Sequence, residues 1–508
     1  MVRATVVPRG SAAFPLVTLA MVAVLSSAPV GLAAAAPAGS AARSGGWQSG
    51  GWQGTADGGT SVTLADVAKA VDAAGSGLDG TGVGVALIDT GVAPVPGLPA
   101  AHVVNGPDLS FESQANTLRY LDTYGHGTNM AGIIAGNDSA TGFKGLAPGA
   151  RLVSVKTGTA QGSVDVSQML AAIDWVVEHR NDDRDNPIRV LNLSYGTPVL
   201  AKVDRDPLTT AVENAWKAGI VVVVAGGNGS NNANQLTNPG YNPYVLTVGS
   251  VAPGTPASAP GSQLSAFTDT NPAGRNVDIT APGESIVSLR DPGSNIDTLY
   301  PNARVGDRLF RGSGTSQAAA VVSGAVSLLL QQRPGLTPDE VKAILKATAR
   351  PLTAGVGRDQ HLGVIDVGAA LAQPATSGQQ SFTEIGVTNL LDASRGGVSV
   401  LHDLSPLIGQ NDIFQPFDAN AWTARSAAGT AWSGGTWMGE RWAGDGWTGS
   451  SWAARTWAPA VWSGTPWKGG SWIDDTWSGH YWSGGQWSGH YWSGHYWSSD
   501  QWTTAAWS

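Results

Sequence analysis

From residue 83 to residue 347 the chain alternates short apolar runs of strand length with segments of helical period, and this alternation limits the possible folds more than any other feature. VGVALIDTGV at 83–92 is an apolar run closed by Asp89, Thr90 and Gly91. Residues 164–179 place Met169, Ile173, Val176 and Val177 on one helical face, and Leu191 and Leu193 belong to a strand. Residues 208–218 are helical again, and 220–225 form a strand rich in β-branched residues. Upstream, the spacing of Leu64, Val67, Ala70 and Val71 predicts a short amphipathic helix within 62–74, ended by Gly75, Gly77 and Gly80. Downstream, Thr337-Pro338-Asp339-Glu340 is a capping box with proline at the first helical position, opening a helix through Ala347. Strands apolar along their whole length and alternating with helices imply an α/β fold, a mostly parallel sheet covered by helices on both faces.

In such sheets the groups that do chemistry stand at the C-terminal ends of strands, which is where Asp89 falls. An aspartate there can equally cap a turn. His126 lies between two glycines in YGHGTNMAGIIAG, 124–136, ahead of a helix of small residues that can pack closely on a sheet. A lone histidine is more often a satisfied core or surface residue than a catalyst. Ser316 lies in FRGSGTSQAAAVVSGAVSLLL, 310–330, at the start of a helix of small and aliphatic residues. It reads either as an N-cap or as a nucleophile placed where unpaired N–H groups stabilise developing negative charge. Gly312 and Gly314 are expected to let the backbone turn sharply beside it and to leave room for a substrate. The chain order Asp, His, Ser is one of those known for nucleophilic triads.

LIDTGV, GHGTNMAG and SGTSQAAA resemble the three signature stretches of the subtilases, the subtilisin-like serine peptidases. GLAPGARLVSVK at 145–156, VLNLSYG at 190–196, VVVVAGGNG at 221–229, NPYVLTVGSV at 242–251 and VDITAPG at 277–283 resemble the segments between them. The likeness runs from about residue 62 to about residue 373. It implies a subtilisin-like domain that cleaves peptide bonds in protein or peptide substrates, with Ser316 as nucleophile, His126 as base and Asp89 as the group that orients the imidazole. It also implies that Asn228, in AGGNG, donates to the oxyanion together with the Ser316 backbone N–H. By the same resemblance the substrate lies extended between Leu193, Ser194, Tyr195 and Gly196 on one side and Ala225, Gly226 and Gly227 on the other. These segments also wall the pocket for the residue before the scissile bond. They hold no carboxylate, which favours neutral or apolar side chains over Lys or Arg.

Three positions depart from the usual family pattern: Asn129 stands for His, Gln317 for Met and Ala320 for Pro. None is a triad atom, and Ala320 is expected to alter local rigidity rather than chemistry. The Asp of the family's calcium site is missing from Val95-Pro96-Gly97-Leu98, so the expectation is no cofactor and no metal. NDDRDN at 181–186 does not have the spacing of an EF-hand loop and reads as a solvated loop.

The formal net charge is −9 with no basic runs, so nucleic acid is not an expected partner. The absence of cysteine excludes disulfides, thiolate catalysis and zinc–thiolate sites. Residues 1–37 have the pattern of a secretory signal peptide: Arg3 and Arg9, an apolar run too short to span a bilayer, then small residues. A secreted protein is therefore expected, with no membrane span once the signal is removed. Residues 38–61 are a Gly/Ser-rich linker carrying Trp47 and Trp52, shorter than the propeptide that many secreted subtilases carry. Residues 62–373 are the peptidase domain, and 374–420 are a linker or small extension with possible strands around 397–401. Residues 421–508 are a tail in which Trp recurs every five residues from Trp422, missing only position 427. Seventeen of the 21 tryptophans lie there, and five matches neither the helical nor the simple strand period. The tail reads as a self-packing spacer or as a row of aromatics that hold cell-wall polysaccharide or a surface partner, retaining the protein at the cell surface. His480, His490 and His495 have no carboxylates or thiolates beside them to make a metal site. The alternative function is an adhesion or structural protein in which the peptidase-like domain is only a scaffold. Asp89, His126, Ser316 and Asn228 together favour the enzyme, because a scaffold need not retain all four.

Overall fold

The computed structural model describes residues 61–439, except 115–117, 161, 163, 200–204, 230–235, 257–258, 260, 262, 272–273, 353–361, 375–377, 383–387, 397–400, 403–404, 407, 414–415 and 434–435. Residues 1–60, which hold the expected signal peptide, Trp47 and Trp52, and the tail beyond Gly439 with its three histidines therefore lie outside the described residues.

The first helix, α1 (Leu64–Ala70), is shorter than its apolar pattern, because Thr63 caps it through a reciprocal box with Asp66. The sheet strands that matter for the site are β1 (Gly84–Asp89), β2 (Val103–Asp108), β3 (Arg151–Lys156), β4 (Ile188–Leu193), β5 (Val221–Ala225), β6 (Leu246–Val251) and β7 (Ile279–Pro282). They pair in the order β7-β6-β5-β4-β1-β3-β2, every pair parallel. All six residues of β1 are buried, as expected of a strand covered on both faces. The order reverses between β1 and β4, and it is outside the C-terminal ends of strands at such a switch point that open α/β sheets place ligands.

The connecting helices are α2 (His126–Ala135), α3 (Val166–His179) and α4 (Pro207–Lys217). Aspartates cap α3 and α4: Asp165 through a box with Gln168, and Asp206 through a box with Thr209 and proline at the next position. A small antiparallel sheet, β8 (Ile286–Leu289), β9 (Arg304–Val305) and β10 (Leu309–Gly312), leads into α5 (Thr315–Gln332). The long helix α5 packs on β4, β5, β6 and β7 and against α2. The box at Thr337 and Glu340 opens α6 (Pro338–Thr348), both of its reciprocal hydrogen bonds being present.

Beyond residue 373 the chain stays on the domain. A one-turn helix, α7 (Leu391–Arg395), is followed by α8 (Ala419–Ala428) and a hairpin of β11 (Trp432–Ser433) and β12 (Thr436–Trp437). Trp422, Trp432 and Trp437 are buried in the same core as the sheet. In the hairpin Trp432 pairs with Trp437 and Ser433 with Thr436. A period of five is thus the register of a tight hairpin, which sets two rings directly across from each other on one face.

Candidate active site

Asp89 ends β1, and His126 begins α2 with Nδ1 2.7 Å from Asp89 Oδ1. The same carboxylate oxygen accepts the Thr90 N–H at 2.7 Å. Both side chains are buried. A second aspartate fixes the turn before His126. Asp122 Oδ1 accepts the Thr90 hydroxyl at 2.7 Å and the Gly125 N–H at 2.7 Å, while Oδ2 accepts the Thr128 N–H at 2.7 Å. Burial pushes the Asp122 carboxyl up, and the Gly125 and Thr128 N–H groups and the Thr90 hydroxyl oppose that shift. Gly125 has φ 103°, and a methyl there would run into the Ser294 hydroxyl, so this position needs glycine twice over. Thr90 Oγ1 accepts from the Gly127 N–H at 3.0 Å, locking the first turn of α2 to the end of β1.

Behind this turn Lys156 Nζ donates to the carbonyls of Thr90 at 2.9 Å and Leu121 at 2.7 Å and pairs with Glu112 at 2.7 Å. Burial alone would lower the Lys156 pKa, but the Glu112 and Asp108 carboxylates outweigh it and hold the ammonium charged. Neither Asp122 nor the Lys156–Glu112 pair was signalled by the sequence. A lysine at the end of an apolar strand is the one clue, since it enters a core only with a partner.

Ser316 is not the cap of its helix. Gly314 holds that place, in extended backbone rather than a turn and with no side-chain cap, and Ser316 is the second helical residue. Its neighbour Thr315 donates both its N–H and its hydroxyl to Asn228 Oδ1, each at 2.8 Å. The Asn228 amide is thereby fixed, and a methyl on Gly314 would stand 3.4 Å from Asn228 Nδ2. Glycine at 314 thus gives room at the helix start instead of the expected turn. Asn228 follows β5 as Asp89 ends β1, both at the C-terminal ends of parallel strands, and the Thr315 clasp on Asn228 and the His126 contact with Asp89 bring Ser316 and His126 to that same end of the sheet.

Leu193 and Ala225 end adjacent parallel strands, so the segments after them leave the sheet side by side. Thr237 and Asn238 tie them together: Thr197 and Asn238 exchange two backbone bonds at 2.9 Å, and the Thr237 N–H donates to the Gly226 carbonyl at 3.2 Å. Methyls on Gly196 and Gly227 would both point at Thr237, which places Thr237 between the two segments. The two segments themselves hold no carboxylate, but a distant residue brings one. The Asp269 N–H donates to the Gly227 carbonyl at 3.1 Å, its carboxylate accepts the Gly229 N–H, and a methyl on Gly227 would run into Oδ2. Asp269 lies far along the chain from Asn228 in a segment with no motif, so sequence reading passed over it.

The departures from the family pattern are accommodated locally. Asn129 Nδ2 donates to the carbonyls of Leu289 and Phe310 at 3.3 Å each, joining α2 to the small sheet. Gln317 folds back so that its Oε1 lies beside Gly314, and Ala320 is fully buried. Among the described residues no group of three His, Asp or Glu side chains is arranged to hold a metal ion. In the loop 181–186, Asp183 accepts the N–H groups of Asp185 at 3.0 Å and Asn186 at 3.1 Å. No helix among the described residues is long and apolar enough to cross a membrane.

The sequence profile of the subtilase family matches residues 80–378. The chain is similar to the serine protease AprX of Bacillus subtilis, with 37% identity over 327 residues, 63% of this chain and 72% of that protein. It is similar to subtilisin DY of Bacillus licheniformis, with 31% identity over 308 residues, 59% of this chain and 95% of that protein. It is also similar to subtilisin Savinase of Lederbergia lenta, with 31% identity over 276 residues, 54% of this chain and 86% of that protein.

Proposed function

Because the chain belongs to the subtilase family and is a subtilisin-like serine endopeptidase, we propose that Asp89, His126 and Ser316 are its triad and Asn228 its oxyanion donor. Ser316 Oγ attacks the carbonyl carbon of the scissile bond while His126 Nε2 takes its proton. The tetrahedral oxyanion is held by Asn228 Nδ2 and the Ser316 N–H, with the N-terminal dipole of α5 behind them. His126 then passes the proton to the leaving amine. The acyl-enzyme is hydrolysed by a water that gives its proton to the same nitrogen. Asp89 keeps the Nδ1–H tautomer and stabilises the imidazolium. Substrate lies extended between residues 193–196 and 225–227.

The observation that carries this reading is the 2.7 Å contact of His126 Nδ1 with Asp89 at the end of β1. It is joined by the clasp of Asn228 on the residue preceding Ser316. A fluorophosphonate probe with casein cleavage tests it: the wild type should be labelled and active, and Ser316→Ala neither. Equal labelling of the two proteins, or no labelling with no cleavage, would overturn it. The scaffold alternative predicts that last outcome.

Residues 1–37 are proposed to direct export. The mature chain should then be found in the medium with its first residue between 35 and 39, and an intact N-terminus in the cell pellet would count against export. The tail is proposed to hold the exported enzyme at the cell wall through its tryptophans, and release into the medium unchanged by its removal would refute that.

A further inference from the structure

In the cleft assigned above to the residue before the scissile bond, a side chain on Gly196 or on Gly227 would meet Thr237, which stands between the two segments. Beside Thr237 stands the Asp269 carboxylate, buried, in the path a side chain on Gly227 would take. Its Oδ1 has no hydrogen-bond partner among the described residues. Among those residues the only group that stabilises its charge is the Gly229 N–H, with no Lys, Arg or His acting on it, and burial holds the carboxyl up at about 7. A carboxylate left without a cation in a buried place is costly unless something brings the opposite charge. Residues 193–196 and 225–227 hold no Lys, Arg or His, so they have no cation to give.

We propose that Asp269 is the specificity-determining residue of this pocket, pairing through its unpartnered oxygen with the ammonium or guanidinium of a Lys or Arg before the scissile bond. This inference rests on the proposed triad and reverses the expectation of an apolar preference, which came from wall residues alone. Asp269 also staples both sides of Asn228, through Gly227 and Gly229. A purely structural staple would affect all substrates alike, whereas a charge in the pocket changes their ranking.

The test uses the full mature chain at pH 8.5, where the carboxyl is ionised, with chromogenic tetrapeptides that differ only in the last residue: Lys, Arg, Leu, Phe or Glu. Fluorophosphonate labelling is measured in parallel. The wild type should prefer Lys or Arg. Asp269→Asn should lower the Lys-to-Leu ratio of kcat/KM by about 30-fold or more, as expected when one member of a buried charge pair is neutralised. A wild type that labels yet prefers Leu or Phe overturns the proposal, even if the variant fails to fold. An unchanged ratio in a labelled Asp269→Asn also overturns it and leaves only the staple. Absence of Ser316 labelling in the wild type overturns both this inference and the triad reading, whereas the other two outcomes leave the triad standing.

Discussion

The two ends of the Asn228 amide face different neighbours: Oδ1 accepts twice from Thr315, and Nδ2 stands by Gly314 at the start of α5. Replacement by alanine would remove both roles at once, so aspartate is the sharper probe. Asn228→Asp keeps an acceptor for Thr315 and removes the donor. It should lower kcat by roughly 100- to 1000-fold with KM little changed, the size measured for the equivalent donor in a subtilisin. A kcat within tenfold of wild type would reduce Asn228 to a clasp on the helix. Asp122 makes a different case, because both of its oxygens accept backbone N–H groups. In Asp122→Asn one of these N–H groups meets an NH2 instead, leaving a buried donor unpaired at a cost of about 1–3 kcal/mol. The expected result is a melting temperature lowered by a few degrees together with slower fluorophosphonate labelling, since the turn that carries His126 loosens. A stable variant labelled at the wild-type rate would show that Thr90 suffices to hold the turn.

Helix α3 is the element on which the C-terminal extension rests. Asp174 Oδ2 accepts the indole N–H of Trp422 at 2.8 Å and of Trp437 at 2.9 Å, and Oδ1 accepts the Ser426 hydroxyl at 2.6 Å. One turn on, Glu178 accepts the Trp432 backbone N–H at 2.8 Å. Burial pushes the Asp174 carboxyl up to about 6 and that of Glu178 up to about 7, against the donors that favour their charged forms. A carboxyl raised by folding stabilises the fold fully below its unfolded pKa, and that contribution is lost as pH rises through the folded value. For Asp174 the window is roughly pH 4 to 6.5, and the amount is about 3 kcal/mol. Unfolding of wild type and Asp174→Asn should therefore diverge across that window, the wild type losing stability relative to the variant as pH rises. Parallel pH profiles would show that the indole and hydroxyl donors cancel the burial.

Across the whole molecule, the features legible in the sequence were those with a local cause. The strand before Asp89, the box at Thr337 and the glycines around His126 depend on neighbours within a few residues, and they were readable. Asp122, Lys156 and Asp269 act across long chain separations, so no spacing announces them. What holds the extension beyond residue 373 was harder to read for the same reason, since that segment has little regular period yet is held by distant partners. Arg395 pairs with the buried Asp165 at 2.9 Å, and Ser394 Oγ donates to Asp206 Oδ1 at 2.8 Å. The Ser394 carbonyl accepts the Thr197 hydroxyl at 2.7 Å, just past Gly196. The extension thus braces the cap of α4 and the segment just past Gly196, while its tryptophans cover α3. A chain ending at residue 439 keeps all of these contacts and should match the full-length protein in melting temperature and peptide cleavage. A chain ending at residue 373 leaves Asp165 without its buried partner and uncovers the Asp174 face. Removing one partner of a buried pair costs about 3–5 kcal/mol, and losing the indoles adds a similar amount for each. The shorter chain should therefore melt well below the longer one, with KM raised more than kcat is lowered if residues 193–196, proposed to hold substrate, lose their brace at Thr197. Equal stability and equal KM for the two truncations would show that residues 374–439 lie on the domain without supporting it.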